Sequence, residues 1–239
     1  MSTWRAQIFE TLRAGYRGRN EAAAKVGVEA RMARRAPNVL PARARPESHK
    51  AALALFTEMA EEASATVARV HTMIDVPGAV ADFLRAHNLP MRAALAPDPV
   101  LDAARWERRK TLEVRKGRAE AFDEVGINLA FRGVAETGTL VMLSGEGTPT
   151  TLNFLPETEI VILPADRIVG AYEEALAPLR GAPPAGNGNE VPPHNLPRVV
   201  NFITGPSRSA DIEQTLQLGA HGPRRLHIVI VDDQAPIQA

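Results

Sequence analysis

Residues 65–96 read ATVARVHTMIDVPGAVADFLRAHNLPMRAALA, and the change of period inside this stretch decides the fold class. Ala65–Val70 alternates as a strand does, with a two-residue period. Pro77 then stands where the first turn of a helix tolerates a residue without an N–H. Val80, Phe83 and Leu84 follow at the three- and four-residue spacing of one buried helical face. Met91–Ala96 reads as a second strand. Strand, helix and strand in succession require a crossover, and crossovers join parallel neighbours. The expectation is an α/β protein with an open, mostly parallel sheet flanked by helices.

The flanking sequence extends the pattern. Ser48 is placed to cap a helix running through about Ser64, with Leu53, Phe56 and Ala60 on its buried side. Asp98–Trp106 reads as a short helix, and Thr111–Arg115 and Thr139–Leu143 as strands. Thr150–Phe154 is expected to pair with Thr139–Leu143 through the intervening GEGTP turn. Glu159–Leu163 (EIVIL) reads as a buried strand, with Asp166 capping a helix through Leu179. Residues 181–197, rich in Gly, Pro and Asn, hold no regular structure and read as a lid or as surface slack. Arg198–Thr204 and Leu226–Asp232 read as strands flanking a helix from about Ser207 to Leu218, which Gly219 would end.

The front of the chain differs. Trp4, Ile8, Leu12 and Tyr16 recur every four residues, so residues 2–16 read as an amphipathic helix. Pro37, Pro41 and Pro46 exclude a long helix across 37–46. Residues 17–47 read as a linker with a helical turn or two, giving an N-terminal helix and basic linker over 1–47 and a domain over 48–239.

Composition narrows the function classes. The 239 residues are 45% hydrophobic and 23% charged, ordinary for a globular chain. Cysteine is absent, which excludes disulfides, a cysteine nucleophile, a thiolate zinc site and an iron–sulfur cluster held by this chain's own thiolates. No apolar run reaches the ~18 residues of a membrane span, and the charged N-terminus does not form a signal peptide. A soluble, cytoplasmic chain is expected. The 28 basic residues balance the 28 acidic ones, but the first 50 positions hold 11 Lys and Arg against 4 Asp and Glu. A basic front of this kind serves as a solvated arm, rests on the chain's own acidic body, or docks onto an acidic partner. No nucleic-acid motif accompanies it, and nucleic acid is not expected as a partner.

Three places carry possible chemistry. Thr204–Glu213 (TGPSRSADIE) follows a strand and is read as opening a helix, a location where backbone N–H groups receive anions. Gly205 would permit close backbone approach, Ser207 or Ser209 would cap, and Arg208 would clamp a carboxylate or phosphate. The alternative is purely structural, with Ser207 capping and Asp211 and Glu213 complementing the helix dipole. In Ala135–Thr139 (AETGT), Glu136 is either a nucleophilic or general-base carboxylate or a turn acid bonded to backbone N–H groups, with Thr137, Gly138 and Thr139 beside it. His221, in Gly219–Pro223 (GAHGP), is either a residue facing the strand tips or a packing residue of the turn. The glycine-rich nucleotide loops, the HExxH zinc helix, the EF-hand loop and GxSxG are all missing. No helix-spaced histidine pair suggests a metal.

Val134–Leu143 (VAETGTLVML) followed by Ile203–Asp232 (ITGPSRSADIEQTLQLGAHGPRRLHIVIVD) closely resembles the LUD-domain family, and the resemblance extends over about residues 48–233. It implies a NagB/RpiA/CoA-transferase-like fold, after the ribose-5-phosphate isomerase and CoA-transferase group. It also implies an accessory, non-redox role in bacterial L-lactate utilisation. In that role L-lactate is oxidised to pyruvate beside two iron–sulfur lactate-utilisation proteins, LutA-like and LutB-like. The iron–sulfur clusters then belong to those partners, with no cofactor in this chain, and a small carboxylate or phosphate anion is expected between Glu136–Thr139 and Gly205–Ser209. CoA-transferase relatives place a glutamate before a glycine near their strand tips. Glu136 in AETG resembles that placement, though its surroundings depart from the pattern and no CoA-binding signature accompanies it. The alternatives are a stand-alone CoA-transferase-like or ligase-like enzyme using Glu136, and a non-catalytic small-molecule-binding protein.

Overall fold

The structure, a computed structural model, describes residues 4–16, 21–34, 39–180, 197–212 and 215–233. The chain divides into two units, Met1–Val39 and Leu40–Ala239. The first holds α1 (Trp4–Tyr16) and α2 (Glu21–Arg34). The amphipathic stripe of α1 is present, and its Trp4, Ile8 and Leu12 are exposed. The stretch expected to be linker carries α2, whose EAAAKV start is built from strong helix formers.

The second unit runs α3 (His49–Glu62), β1 (Thr66–Thr72), α4 (Val76–Ala86), β2 (Arg92–Leu95), α5 (Pro99–Asp102), β3 (Glu113–Lys116) and β4 (Val125–Leu129). It continues with β5 (Arg132–Val134), β6 (Thr139–Leu143), α6 (Thr151–Phe154), β7 (Thr158–Pro164), β8 (Ile168–Val169) and α7 (Tyr172–Leu176). It closes with β9 (Val200–Ile203), β10 (Arg208–Ile212), β11 (Thr215–Leu218) and β12 (Arg225–Asp233). Six strands form one sheet in the order β1-β12-β7-β4-β2-β3, and every pairing in it is parallel.

Helices cover both faces, and strand alternation assigns each side chain to one of them. On β7, Ile160 and Ile162 join the core beneath α4, with Val80, Phe83 and Leu84. Val161 and Leu163 join the core beneath α3, with Leu53, Phe56 and Ala60. A strand buried on both faces reads as an unbroken apolar run, as EIVIL does. The Ser48 hydroxyl caps α3 by accepting from the Ala51 N–H at 3.1 Å. No helix among the described residues is long and apolar enough to cross a membrane.

A second sheet, β8-β5-β6-β9, grows from the carboxyl ends of the two central strands. The chain leaves β4 into β5 and leaves β7 into β8, and these short strands pair in parallel, Gly133 with Ile168. Strands β6 and β9 add antiparallel neighbours. Its outer face carries a third apolar group, Phe131, Val134, Val141, Ala175 and Leu179.

Several local expectations are corrected. Thr151–Phe154 is helical and does not pair with β6; the edge of β6 opposite β5 is occupied by β9. The helix expected from Asp166 to Leu179 is a single turn at Ala165–Arg167, then β8, then α7 with Ala171 at its cap. β-Branched Ile168 and Val169 extend beside β5, and a Cβ on Gly170 would lie 2.3 Å from the Ala44 carbonyl oxygen. The helix expected over 207–218 is the antiparallel hairpin β10–β11. The T-L-Q-L alternation of β11 is a strand period, and pairing overrides the helical propensity of its Leu and Gln residues. The segment 181–197 lies outside the described residues, except for its last position.

Candidate functional site

The turn between β5 and β6 and the segment after β9 meet at the carboxyl end of α3. Gly138 lies at φ +63°, and a Cβ there would stand 2.3 Å from the Ala60 backbone nitrogen. Gly205 lies at φ +71°, and a Cβ there would stand 2.1 Å from the Ala63 carbonyl oxygen. Both positions need glycine for conformation and for closeness at once. The backbone they admit is that of α3.

This convergence assembles a chain of hydroxyls. The Thr139 Oγ1 lies 2.6 Å from Thr204 Oγ1, 2.7 Å from Thr137 Oγ1 and 2.8 Å from the Tyr172 hydroxyl. Thr137 also donates to Tyr172 at 3.0 Å. Thr139 is buried and Tyr172 half-buried, while Thr204 reaches solvent. The group therefore has a buried end and an open one, and each hydroxyl both donates and accepts.

Glu136 stands at the side of this group and is 8% exposed. Its N–H donates to the Gly170 carbonyl at 3.1 Å, and its Oε1 accepts a long bond, 3.4 Å, from the Tyr172 N–H at the start of α7. It forms no ion pair with any described residue. The carboxylate thus receives a backbone N–H, as a turn acid does, and keeps acceptor capacity beyond it.

The remaining expected residues are engaged elsewhere. Arg208 donates through Nη2 to the Ala63 carbonyl at 2.9 Å, a cation on the carboxyl end of α3 where the helix dipole is negative. Ser207 is tied to the 219–223 turn: its N–H donates to the Pro223 carbonyl at 2.8 Å, and its hydroxyl accepts from the His221 N–H at 3.3 Å. The His221 side chain is exposed. Ser209 belongs to β10, and its side chain lies outside the described residues. The anion-receiving helix start expected at 207 does not exist, since the chain enters strand β10 at Arg208. Tyr172 escaped the sequence reading, because nothing local in GAYEEAL marks it and only the fold carries it to Thr139, 33 positions away.

The LUD domain model matches residues 53–231. Lactate utilization protein C of Geobacillus sp. (strain WCH70) is 40% identical over 110 residues, 46% of this chain and 43% of that protein. The protein of the same name from Halalkalibacterium halodurans is 38% identical over 117 residues, covering 49% and 47%. That from Macrococcus caseolyticus is 35% identical over 133 residues, covering 56% and 54%. The chain spans about half the length of the curated relatives it matches. Among solved structures, a DUF162 family protein from Deinococcus radiodurans superposes with a TM-score of 0.53 at 21% identity, covering 78% of this chain and 99% of that one. At that identity it speaks for the fold alone.

Proposed function

The chain belongs to the LUD-domain family, and from that premise we propose that it is a non-redox accessory subunit of an L-lactate utilisation system, in which L-lactate becomes pyruvate. Two iron–sulfur partner proteins carry the electrons. The observation that supports this most is the run of relatives named Lactate utilization protein C. The absence of cysteine agrees with electron transfer being housed in other chains. The basic first 50 residues supply a docking arm for an acidic partner surface.

The test is lactate-dependent dye reduction in lysate from a strain deleted for this chain, with and without purified protein added back. Restoration of the lost activity is expected, and an undiminished deletion lysate removes the reading. Docking is tested by removing residues 1–39 alone, because a cut after residue 47 would also delete Ala44 and Pro46, which pack against Gly170. Weaker capture of the iron–sulfur partners is the expected result.

A second reading makes Glu136 the nucleophile or base of a transferase-like or ligase-like enzyme, favoured by its burial without an ion pair. Glu136→Gln keeps the size and an acceptor for the Tyr172 N–H while removing the charge. Full add-back activity from Glu136→Gln ends this second reading, and loss of activity with an unchanged melting curve favours it.

A further inference from the structure

The strongest unassigned feature of the molecule is a pair of buried arginines where the two sheets join. Arg132 opens β5 and Arg167 immediately precedes β8. Gly133 pairs in parallel with Ile168, so Arg132 and Arg167 are side by side on neighbouring backbones, roughly 4.8 Å apart. Strand alternation sends Arg132 to the face opposite the one on which Gly133 meets Phe56 and Leu163. Their guanidinium groups rest on consecutive carbonyls leaving β4. Arg167 Nη1 donates to the Ala130 oxygen at 2.8 Å, and Arg132 Nη1 to the Phe131 oxygen at 3.1 Å. The Arg132 guanidinium also lies 4.8 Å from the centre of the Phe131 ring.

Each residue is 7% exposed. Burial lowers the pKa of both below the ordinary arginine value, and their mutual repulsion lowers that of Arg167 further. Asp166 opposes the shift at both, and Asp98 opposes it at Arg167. Arginine does not lose its proton under such pressure, so two positive charges stay together in a poorly solvated place. Among the described residues Arg132 forms no ion pair, and four of its five N–H donors have no protein acceptor. The location is the carboxyl end of the two central strands of a parallel sheet, where open α/β folds place ligands.

We propose that Arg132 and Arg167 together bind the carboxylate of a small organic acid, held across the carboxyl ends of β4 and β7. Paired planar guanidiniums match the two oxygens of a carboxylate and its single negative charge. This site is separate from the Glu136 group, which lies at the other end of β5, four residues or roughly 13 Å away. The proposal deepens the lactate reading by giving the acid a place on this chain, and it is tested by binding to the isolated protein.

Full-length protein is titrated calorimetrically with sodium L-lactate, sodium pyruvate and sodium phosphate at constant ionic strength. In parallel, phenylglyoxal labelling of arginines is mapped with and without each anion. Saturable binding of L-lactate or pyruvate is expected, with slower labelling of Arg132 and Arg167 and unchanged labelling of the exposed Arg85. Arg132→Gln is expected to weaken binding tenfold or more, and Arg85→Gln to leave it unchanged. No saturable binding of either acid, saturation by phosphate alone, or equal binding by Arg132→Gln overturns the proposal. If Arg132→Gln does not fold, the labelling of the wild-type chain decides, and lack of protection at both arginines overturns it. Binding of the acid together with an undiminished deletion lysate would sink the lactate role and keep the site. The reverse pattern would do the opposite.

Discussion

Two buried ionisable side chains govern how this protein meets a change of pH, and they sit at adjoining positions of neighbouring strands. Glu159 on β7 pairs with Leu226 on β12, and His227 is the next residue. His227 is 5% exposed, stacked on the Phe83 ring at 4.0 Å, with Nδ1 2.8 Å from the Thr66 hydroxyl and Nε2 buried without a partner. Burial, aided by the nearby His87, lowers its pKa to about 4. The unfolded chain takes a proton on this histidine near pH 6.5, so its contribution to stability is complete above that value. It is lost as the pH falls from 6.5 towards 4. The span corresponds to about 3 kcal/mol, and urea denaturation at pH 7 and pH 4.5 should show a loss of that order that His227→Phe reduces. Glu159 has the opposite sign. It is 1% exposed with Oε1 unpartnered, and burial raises its pKa well above the carboxylate range. The unfolded state ionises above ~4.3 while the folded state holds its proton, so stability falls as the pH rises beyond that point. Glu159→Gln is therefore expected to raise Tm at neutral pH, by roughly 2–4 °C for each kcal/mol recovered. An unchanged or lower Tm would show that the carboxyl has a partner worth more than its burial costs.

At the scale of elements, the carboxyl end of α3 organises the candidate site. Gly138 and Gly205 press backbone against it from two separate segments, and Arg208 donates to the Ala63 carbonyl at its cap. That contact brings Thr139 of β6 to Thr204 beyond β9, 65 positions apart. A methyl group at 138 would meet the Ala60 nitrogen in a left-handed conformation that alanine disfavours. Gly138→Ala is expected to cost about 2–4 kcal/mol, read as a lower urea midpoint. If the midpoint stays, the close approach is not what holds the turn to α3. The elements that escaped prediction share one cause. β8 is two residues long and β10–β11 follows a helix-like composition, and each owes its extended form to a neighbour distant in sequence. α3, α4 and β7 were legible because their patterns are long and their periods unmixed.

At the scale of the molecule, the three apolar clusters of the described residues draw on residues 52–231, and Ala44 is buried as well. A chain lacking residues 1–39 is expected to melt within a degree or two of the full protein, by calorimetry. A large drop would assign the first unit a structural part. The period change at Pro77, the cap at Ser48 and the burial of EIVIL were readable in sequence, because each depends on neighbours within a few residues. Zero cysteine and the basic front were readable too, and so was the family resemblance carried by the AETGT and TGPSRS blocks. The tertiary structure alone decided that β4 and β7 hand over to a second sheet. It also decided that Tyr172 joins three threonine hydroxyls, that Arg208 serves α3, and that Arg132 stands beside Arg167. Those relations rest on parallel pairing and close backbone approach between segments tens of residues apart, and a local pattern of side chains carries no record of which strand will lie beside it.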